Sequence, residues 1–143
     1  MNFDHYHNIQ SSLLRFCAEF ATANPGLATV NLDAHTDEAE WPESDFIGLS
    51  ELAVDMEETY SGQCMFGLST RNDTNLHRMG GLIQKLAKLV RPNQNIPVYD
   101  AETGDPVGKI FILKGTRIGA PLRTKTHPIQ PIAIRFETDP RSF

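Results

Sequence analysis

Residues 75–90, NLHRMGGLIQKLAKLV, carry the clearest helical periodicity in this chain. Apolar positions recur every three or four residues and so fall on one side of a helix. This stripe comprises Leu76, Met79, Gly80, Ile83, Leu86, Ala87 and Val90. The opposite side carries Arg78, Gln84, Lys85 and Lys88. The stretch therefore predicts an amphipathic helix with a basic outer face, which Asn72, Asp73 or Thr74 can cap.

The glycine pair inside this helix calls for a compensating contact. Each of Gly80 and Gly81 costs a helix about 1 kcal/mol relative to alanine. We therefore expect a closely packed strand to approach the helix where the two side chains are missing.

A second amphipathic helix is predicted upstream, over residues 8–20. Its apolar stripe comprises Ile9, Leu13, Phe16, Cys17 and Phe20. The helix should end at Asn24-Pro25-Gly26, because proline cannot continue the hydrogen-bond ladder. A short strand is then predicted over residues 27–32, with Ala28, Val30 and Leu32 on one face.

Between the two helices, the pattern changes to the alternation of a long hairpin. In residues 46–60, Glu51, Asp55 and Glu57 share one face, and Leu52, Val54 and Met56 share the other. A turn is expected at Ser61-Gly62, followed by a strand with Cys64, Phe66 and Leu68 at alternating positions.

The remaining segments predict further strands. These are a brief strand at Val98-Tyr99, one over residues 107–118 with Ile110 and Ile112 opposite Phe111 and Leu113, and one over residues 132–137 with Ile132, Ile134 and Phe136 on one face. Residues 119–131, GAPLRTKTHPIQP, are rich in proline and hard to place in a sheet centre. We expect one α+β domain over residues 1–143, with a mostly antiparallel sheet under two amphipathic helices.

Charge divides the chain into two parts. Residues 1–60 hold 12 acids and 1 base, a net charge of −11, whereas residues 61–143 hold 6 acids and 12 bases, a net charge of +6, which together give the formal −5. Much of the negative part falls in an acidic loop over residues 33–45, for which Trp41 is the expected anchor. The acidic total disfavours a protein that coats nucleic acid by neutralising phosphates.

The sequence also disfavours a membrane-spanning protein and a protein exported by a signal peptide. No run of about 18 apolar residues predicts a membrane span, and the start of the chain lacks the basic and apolar regions of a signal peptide. Cys17 and Cys64 each lie in an apolar pattern, which predicts buried free thiols and folding in a reducing cytoplasm.

The chain contains residue types that can bind metals or catalyse reactions, but it contains no complete catalytic or metal-binding motif. His5-x-His7 near Asp4 is the best metal candidate, against the alternative of solvated histidines near a chain terminus. His35, His77 and His127 are interpreted as surface residues. The chain has no nucleophile elbow or phosphate loop, and its carboxylates between residues 33 and 58 are interpreted as a solvated face. We expect neither catalysis nor a cofactor.

The basic second half leaves three interpretations open. Arg117, Arg123, Lys125 and Arg135 could contact phosphate, form an ordinary positive surface, or meet the acidic hairpin of another copy. Binding of single-stranded nucleic acid by base stacking is disfavoured, because no aromatic residue lies among these basic residues between Gly115 and Ile134.

Taken together, the order of segments resembles the tail terminator (tail completion) proteins of long-tailed bacteriophages. The resemblance is carried by NIQSSLLRFCAEF as the leading helix, DFIGLSELAVDMEETYSGQCMFGLSTRND as the hairpin, NLHRMGGLIQKLAKLV as the second helix and HPIQPIAIRFETD as the closing strand. It implies a structural virion protein whose ring, typically a hexamer, caps the head-proximal end of the tail tube, ends tube polymerisation and joins the head connector. Residues 119–131 and the acidic loop depart from the shorter relatives, which leaves contact with a tail sheath open.

The charge split suggests how such a ring would close. Glu51, Asp55 and Glu57 could pair with Arg78, Lys85 and Lys88 of a neighbour, or line a lumen through which DNA passes without specific binding. Arg123 and Lys125 are further candidates for the interface or lumen. Three alternatives stay open: another phage neck component such as a sheath terminator or head-completion protein, a small metal-dependent hydrolase using His5 and His7, and a DNA-binding module.

Overall fold

A computed structural model describes residues 5–57, 60–122 and 127–138. The helices are α1 (His5–Ala23) and α2 (His77–Leu89), and the strands are β1 (Leu27–Asn31), β2 (Asp45–Met56), β3 (Tyr60–Ser69), β4 (Asn95–Tyr99), β5 (Pro106–Ile112), β6 (Arg117–Ile118) and β7 (Ile129–Thr138). Short 3-10 turns occupy Glu38–Glu40 and Thr74–Leu76. The strands form one sheet in the order β1-β2-β3-β7-β5-β4, with β6 also on β7. Only the β1–β2 pair is parallel, so the α+β prediction is confirmed.

Both helices bury their apolar stripes against one face of this sheet, as predicted. The buried helix residues are Ile9, Leu13, Cys17 and Phe20 of α1 and Met79, Leu82 and Leu86 of α2. They pack with Phe66, Ile132, Ile134 and Phe136 from the two central strands. Burial of these side chains is the main source of the fold's stability, at about 25 cal/mol per Å² removed from water.

The predicted role of the glycine pair in α2 is wrong. Gly80 lies on the exposed side of α2, and Leu82 takes the core position instead. A Cβ built on Gly80 or Gly81 would meet no atom within 4 Å, so no described strand approaches either glycine. Their cost in helix propensity is therefore not offset by packing within the described part of the subunit.

A β-bulge in β2 sets which side chains face the helices. The register shifts by one residue between Ser50 and Ala53, and Glu51 has a positive φ of 54°. The Asp33 carboxylate accepts hydrogen bonds from the backbone N–H groups of Glu51 and Leu52, at 2.9 and 3.4 Å. The extra residue lets Ile47 and Leu49 before the bulge, and Leu52 and Val54 after it, all contact the same core.

The predicted turn at Ser61-Gly62 is wrong, because both residues lie inside β3. Gly62 pairs with Val54, and the chain reverses between Met56 and Tyr60. A Cβ on Gly62 would lie 2.4 Å from the carbonyl oxygen of Ala53 and 2.8 Å from the ring of Phe136. The glycine therefore makes room for a core aromatic residue and does not mark a turn.

The proline-rich segment also departs from its prediction. Pro131 lies in the central strand β7, opposite Gly67, with its carbonyl oxygen accepting from the N–H of Gly119. Pro131 has no N–H group and so cannot donate a hydrogen bond to the Gly119 carbonyl oxygen. That oxygen accepts a hydrogen bond from the side-chain amide of Gln130 instead. This substitution keeps the ladder satisfied at a position where a central proline would otherwise leave a carbonyl unpaired.

The single strand predicted over residues 107–118 is divided in two. β5 ends at Ile112, and Gly115 adopts a φ of 105° before β6 begins at Arg117. Ile110 and Ile112 face the core and Phe111 is exposed, as the alternation predicted.

Candidate interaction surfaces

The predicted acidic residues of the hairpin are exposed on an open sheet edge. β1 covers β2 only along Asp45–Leu49, so the later half of β2 pairs with β3 on one side and has no strand on its other side among the described residues. Glu51, Asp55 and Glu57 all lie in or just after that half, exposed to solvent. Charges and a bulge on an open edge discourage unspecific strand pairing.

The end of this hairpin also exposes an apolar side chain. Met56 is 59% exposed, the highest value among the large apolar residues described. It lies between Asp55 and Glu57 in the sequence, and because successive side chains of a strand alternate, the hairpin end presents an apolar group on one face and the Asp55 carboxylate on the other. Tyr60, directly across the strand pair from Met56, is buried against His5, with ring centroids 4.6 Å apart. The hairpin end is therefore held near the amino-terminal end of α1.

The first turn of α2 is stabilised by the carboxylate of Asp73. The Asp73 carboxylate accepts hydrogen bonds from the backbone N–H groups of Arg78 and Met79, at 2.9 and 2.7 Å, and from the Thr70 hydroxyl at 2.9 Å. Desolvation raises the pKa of Asp73, but these donors outweigh it and lower the pKa overall. Asp73 therefore supplies the hydrogen bonds of a cap, although the N-cap position itself is Leu76 and the helix begins only at His77.

Arg78 is engaged inside its own subunit. Its Nε and one terminal nitrogen donate to the Asp45 carboxylate at 2.6 and 3.0 Å, and that same nitrogen donates to the carbonyl oxygen of Arg71. Partial burial raises the pKa of Asp45, but the hydrogen bonds from Arg78 and from the Arg71 backbone N–H lower it overall. The proposed pairing of Arg78 with a neighbour's hairpin therefore competes with an existing two-point contact.

Lys85 and Lys88 differ from Arg78 because neither has a carboxylate partner in the described ranges. Lys85 donates only to the side-chain oxygen of Asn24, at 3.3 Å. Both lysines border a groove of about 630 Å³ between the carboxy-terminal ends of α1 and α2 and the edge strand β4. Its apolar lining includes Phe16, Phe20, Leu89, Ile96 and Pro97.

Sequence reasoning missed Leu89 and Met56 as surface features. Leu89 is 45% exposed at the mouth of the groove and lies outside the stripe predicted for α2. An apolar residue off the stripe was the available signal. Of the predicted basic residues, Arg117 and Arg135 are exposed, whereas Arg123 and Lys125 lie outside the described residues.

The histidine interpretations need correction. His5 is fully buried in the first turn of α1, and His7, two positions further along the helix, is exposed. Two residues along a helix rotate the side chain by roughly 200°, so the two imidazoles do not converge on one point. His127 was also interpreted as a surface residue, but it is 4% exposed. Its ring packs against Trp41 and Phe46, so the acidic loop is anchored at Trp41 as predicted.

Both cysteines are buried free thiols, as predicted. Burial raises the pKa of Cys17 to about 12 and raises that of Cys64 further, so both are protonated at neutral pH and poorly nucleophilic.

Across residues 5–57, 60–122 and 127–138, no three His, Cys, Asp or Glu side chains cluster as metal ligands. Neither described helix is long and apolar enough to cross a membrane.

Comparison with known proteins bears on the fold. No family model and no curated protein matches the chain. Three solved protein chains do match. One of them has a TM-score of 0.61 and 11% sequence identity, covering 94% of this chain and 95% of its own length. At that identity the likeness shows that the two chains share a fold over nearly their whole lengths.

Proposed function

We propose that this protein is a tail terminator of a long-tailed bacteriophage, whose copies close into a ring, typically six-membered in the family it resembles, on the head-proximal end of the tail tube. The observation that carries the proposal is the order of elements: a leading helix, a long hairpin, a second helix and closing strands on one sheet. That order is the feature by which the sequence resembles the family. The ring ends tube polymerisation and offers its other face to the head connector.

The distribution of charge supports a ring built from unlike surfaces. Carboxylates line the open edge of β2, while Lys85 and Lys88 lie on α2 without an acidic partner in the described residues. A contact between two different surfaces of the same chain repeats from copy to copy and closes when its rotation permits. Carboxylates left facing the lumen would repel DNA phosphates, so DNA would pass without being held.

The proposal places the protein in the neck of the virion, assembled in the host cytoplasm. Its partners are further copies of itself, the tail tube protein, the head connector and, in a contractile tail, the sheath. It carries out no reaction and needs no cofactor.

Tube length in the presence of the protein tests this function. Tail tube protein from the same phage is polymerised with and without the purified chain, and tube lengths and ends are measured by electron microscopy. We expect shorter tubes with a ring on one end. Tubes of unchanged length with bare ends would contradict the proposal, and rings that bind sheath or connector alone would indicate another neck component.

A further inference from the structure

Resting on the proposed function, we propose that the hairpin end of one copy, Asp55-Met56-Glu57, docks in the apolar groove beside Lys85 and Lys88 of the next copy. Met56 enters the groove, and the two carboxylates lie against the two ammonium groups. The occupant of the groove is thus a second copy of this chain.

The groove has the chemistry to receive such a segment. Its floor is apolar, with Phe20 and Ile96 almost fully buried beneath it, and Leu89 at its mouth is 45% exposed. Glu19 is the acid in its lining, and its charge is compensated by Arg15 at 3.1 Å. The lysines are therefore the uncompensated charges at the rim, and they favour an acidic partner with an apolar centre.

The hairpin end has the matching pattern. It combines the most exposed large apolar side chain described, Met56, with exposed carboxylates at the two adjacent positions, so one face of the hairpin end is apolar and the other is acidic. Methionine is unbranched and flexible, so it adapts to an irregular apolar groove. Burying Met56 and Leu89 together would remove two exposed apolar groups from water in one contact.

The positions of the two surfaces make the contact run head to tail. The hairpin end lies near the amino-terminal end of α1, where Tyr60 packs on His5, whereas the groove is lined by Phe16 and Phe20 towards the other end. At 1.5 Å per residue, His5 and Phe20 are about 20 Å apart along the helix. A hairpin end therefore lies far from its own groove, and each copy offers one donor and one acceptor surface, as a closed ring requires.

Disulfide cross-linking between two single-cysteine variants tests the contact. Met56→Cys and Leu89→Cys are purified separately, mixed and oxidised. Cys17 and Cys64, at 0% and 2% exposure, are shielded from the reaction. We expect a cross-linked dimer in the mixture and none in either variant alone, because an unlike contact never brings two copies of one position together.

A matched control uses Phe111→Cys in place of Met56→Cys. Phe111 is 43% exposed but lies on β5, with β3 and β7 between it and the hairpin strand β2, so we expect no cross-link with Leu89→Cys. Equal cross-linking by both pairs, or self-linking of either single variant, would overturn the proposed contact.

Charge reversal supplies a second test. Asp55→Lys/Glu57→Lys should weaken association about tenfold or more, and Lys85→Glu/Lys88→Glu should do the same, because each places like charges together. Mixing the two variants restores complementarity at every contact of an alternating ring, so oligomers should reappear. Failure of the mixture to assemble would overturn the docking.

The outcomes separate this inference from the function on which it rests. A ring in the wild-type protein without the Met56–Leu89 cross-link overturns the docking and leaves the proposed function intact. A chain that stays monomeric and uncross-linked, both alone and with tube protein, overturns both.

Discussion

The two halves of α2 differ in how their charged side chains are used. In the first half, Asp73 binds backbone N–H groups and Arg78 binds Asp45, all within one subunit. In the second half, Lys85 and Lys88 border an open groove and have no acidic partner among the described residues. The basic face of α2 is therefore two surfaces: its first half stabilises the fold, and its second half is available to a partner.

Reversing the charges of the second half should have the largest effect. Lys85→Glu/Lys88→Glu is expected to abolish the oligomer, while the single chains still unfold cooperatively, because both lysines are exposed and lie outside the core. Sizing coupled to light scattering and urea unfolding measure the two quantities.

Lys109→Glu/Lys114→Glu is the matched control, since both lysines are exposed and the change in net charge is the same. We expect this control to assemble normally. Equal loss of assembly in both variants would mean that net charge, and not the groove, governs association.

Removing the charge of Asp45 should lower the stability of the single chain, whereas the lysine substitutions are expected to act on assembly. Asp45→Asn is expected to lower the free energy of unfolding by about 1 kcal/mol, a modest value because water screens the half-exposed Arg78. Measured in the monomeric Lys85→Glu/Lys88→Glu background, the effect reports on folding alone. Asp105→Asn, an exposed aspartate without an ion pair among the described residues, should change little.

The Asp45 effect should also depend on pH. The folded-state pKa of Asp45 is lowered, so its contribution is present above the ordinary aspartate pKa of about 3.9 and is lost as the pH falls through the folded value. The difference between wild type and Asp45→Asn should be full at pH 7 and shrink below about pH 4. A constant difference across that range, measured by urea unfolding, would contradict the ion-pair explanation.

The glycine pair at the junction of the two halves gives the smallest expected effect. Gly80→Ala and Gly81→Ala should each raise the free energy of unfolding by about 0.5 to 1 kcal/mol, because both positions are helical and open. Assembly should be unchanged if only the second half meets a partner. Weaker assembly would extend the interface to the glycines.

Gly62→Ala provides the contrast for these substitutions. Its new methyl group would collide with the Ala53 carbonyl and the Phe136 ring, so the variant should be destabilised. A stabilised Gly62→Ala would show that the strand can move to accept a side chain.

The parts of the fold that are encoded locally could be predicted from the sequence. The stripe of α1 and the alternation of β7 depend on nearby residues, and the structure confirms them. For α2 the structure confirms Met79 and Leu86, whereas Leu82 takes the core position in place of Gly80. Gly62 and Pro131 were misinterpreted because the same residue types also serve tertiary packing. Phe136 fills the space over Gly62, and Gln130 replaces the missing donor of Pro131.

The candidate site could be predicted only in part. Charge composition indicated the acidic hairpin and the basic helix. It could not show that Arg78 is engaged within the subunit while Lys85 is open to a partner, because the partner of Arg78, Asp45, lies 33 positions away in the sequence. The groove forms where α1, α2 and β4 meet, and no local pattern reports such a meeting. The buried states of His5 and His127 likewise follow from Tyr60, Trp41 and Phe46, which are distant in sequence.

The mass of the wild-type protein in solution, measured by light scattering coupled to sizing beside the Lys85→Glu/Lys88→Glu variant, tests the central claim most directly. We predict a ring of about six 16.0 kDa chains for the wild type and a single chain for the variant. A wild type that stays monomeric at every concentration and with tube protein present, or a variant that assembles as the wild type does, would contradict it.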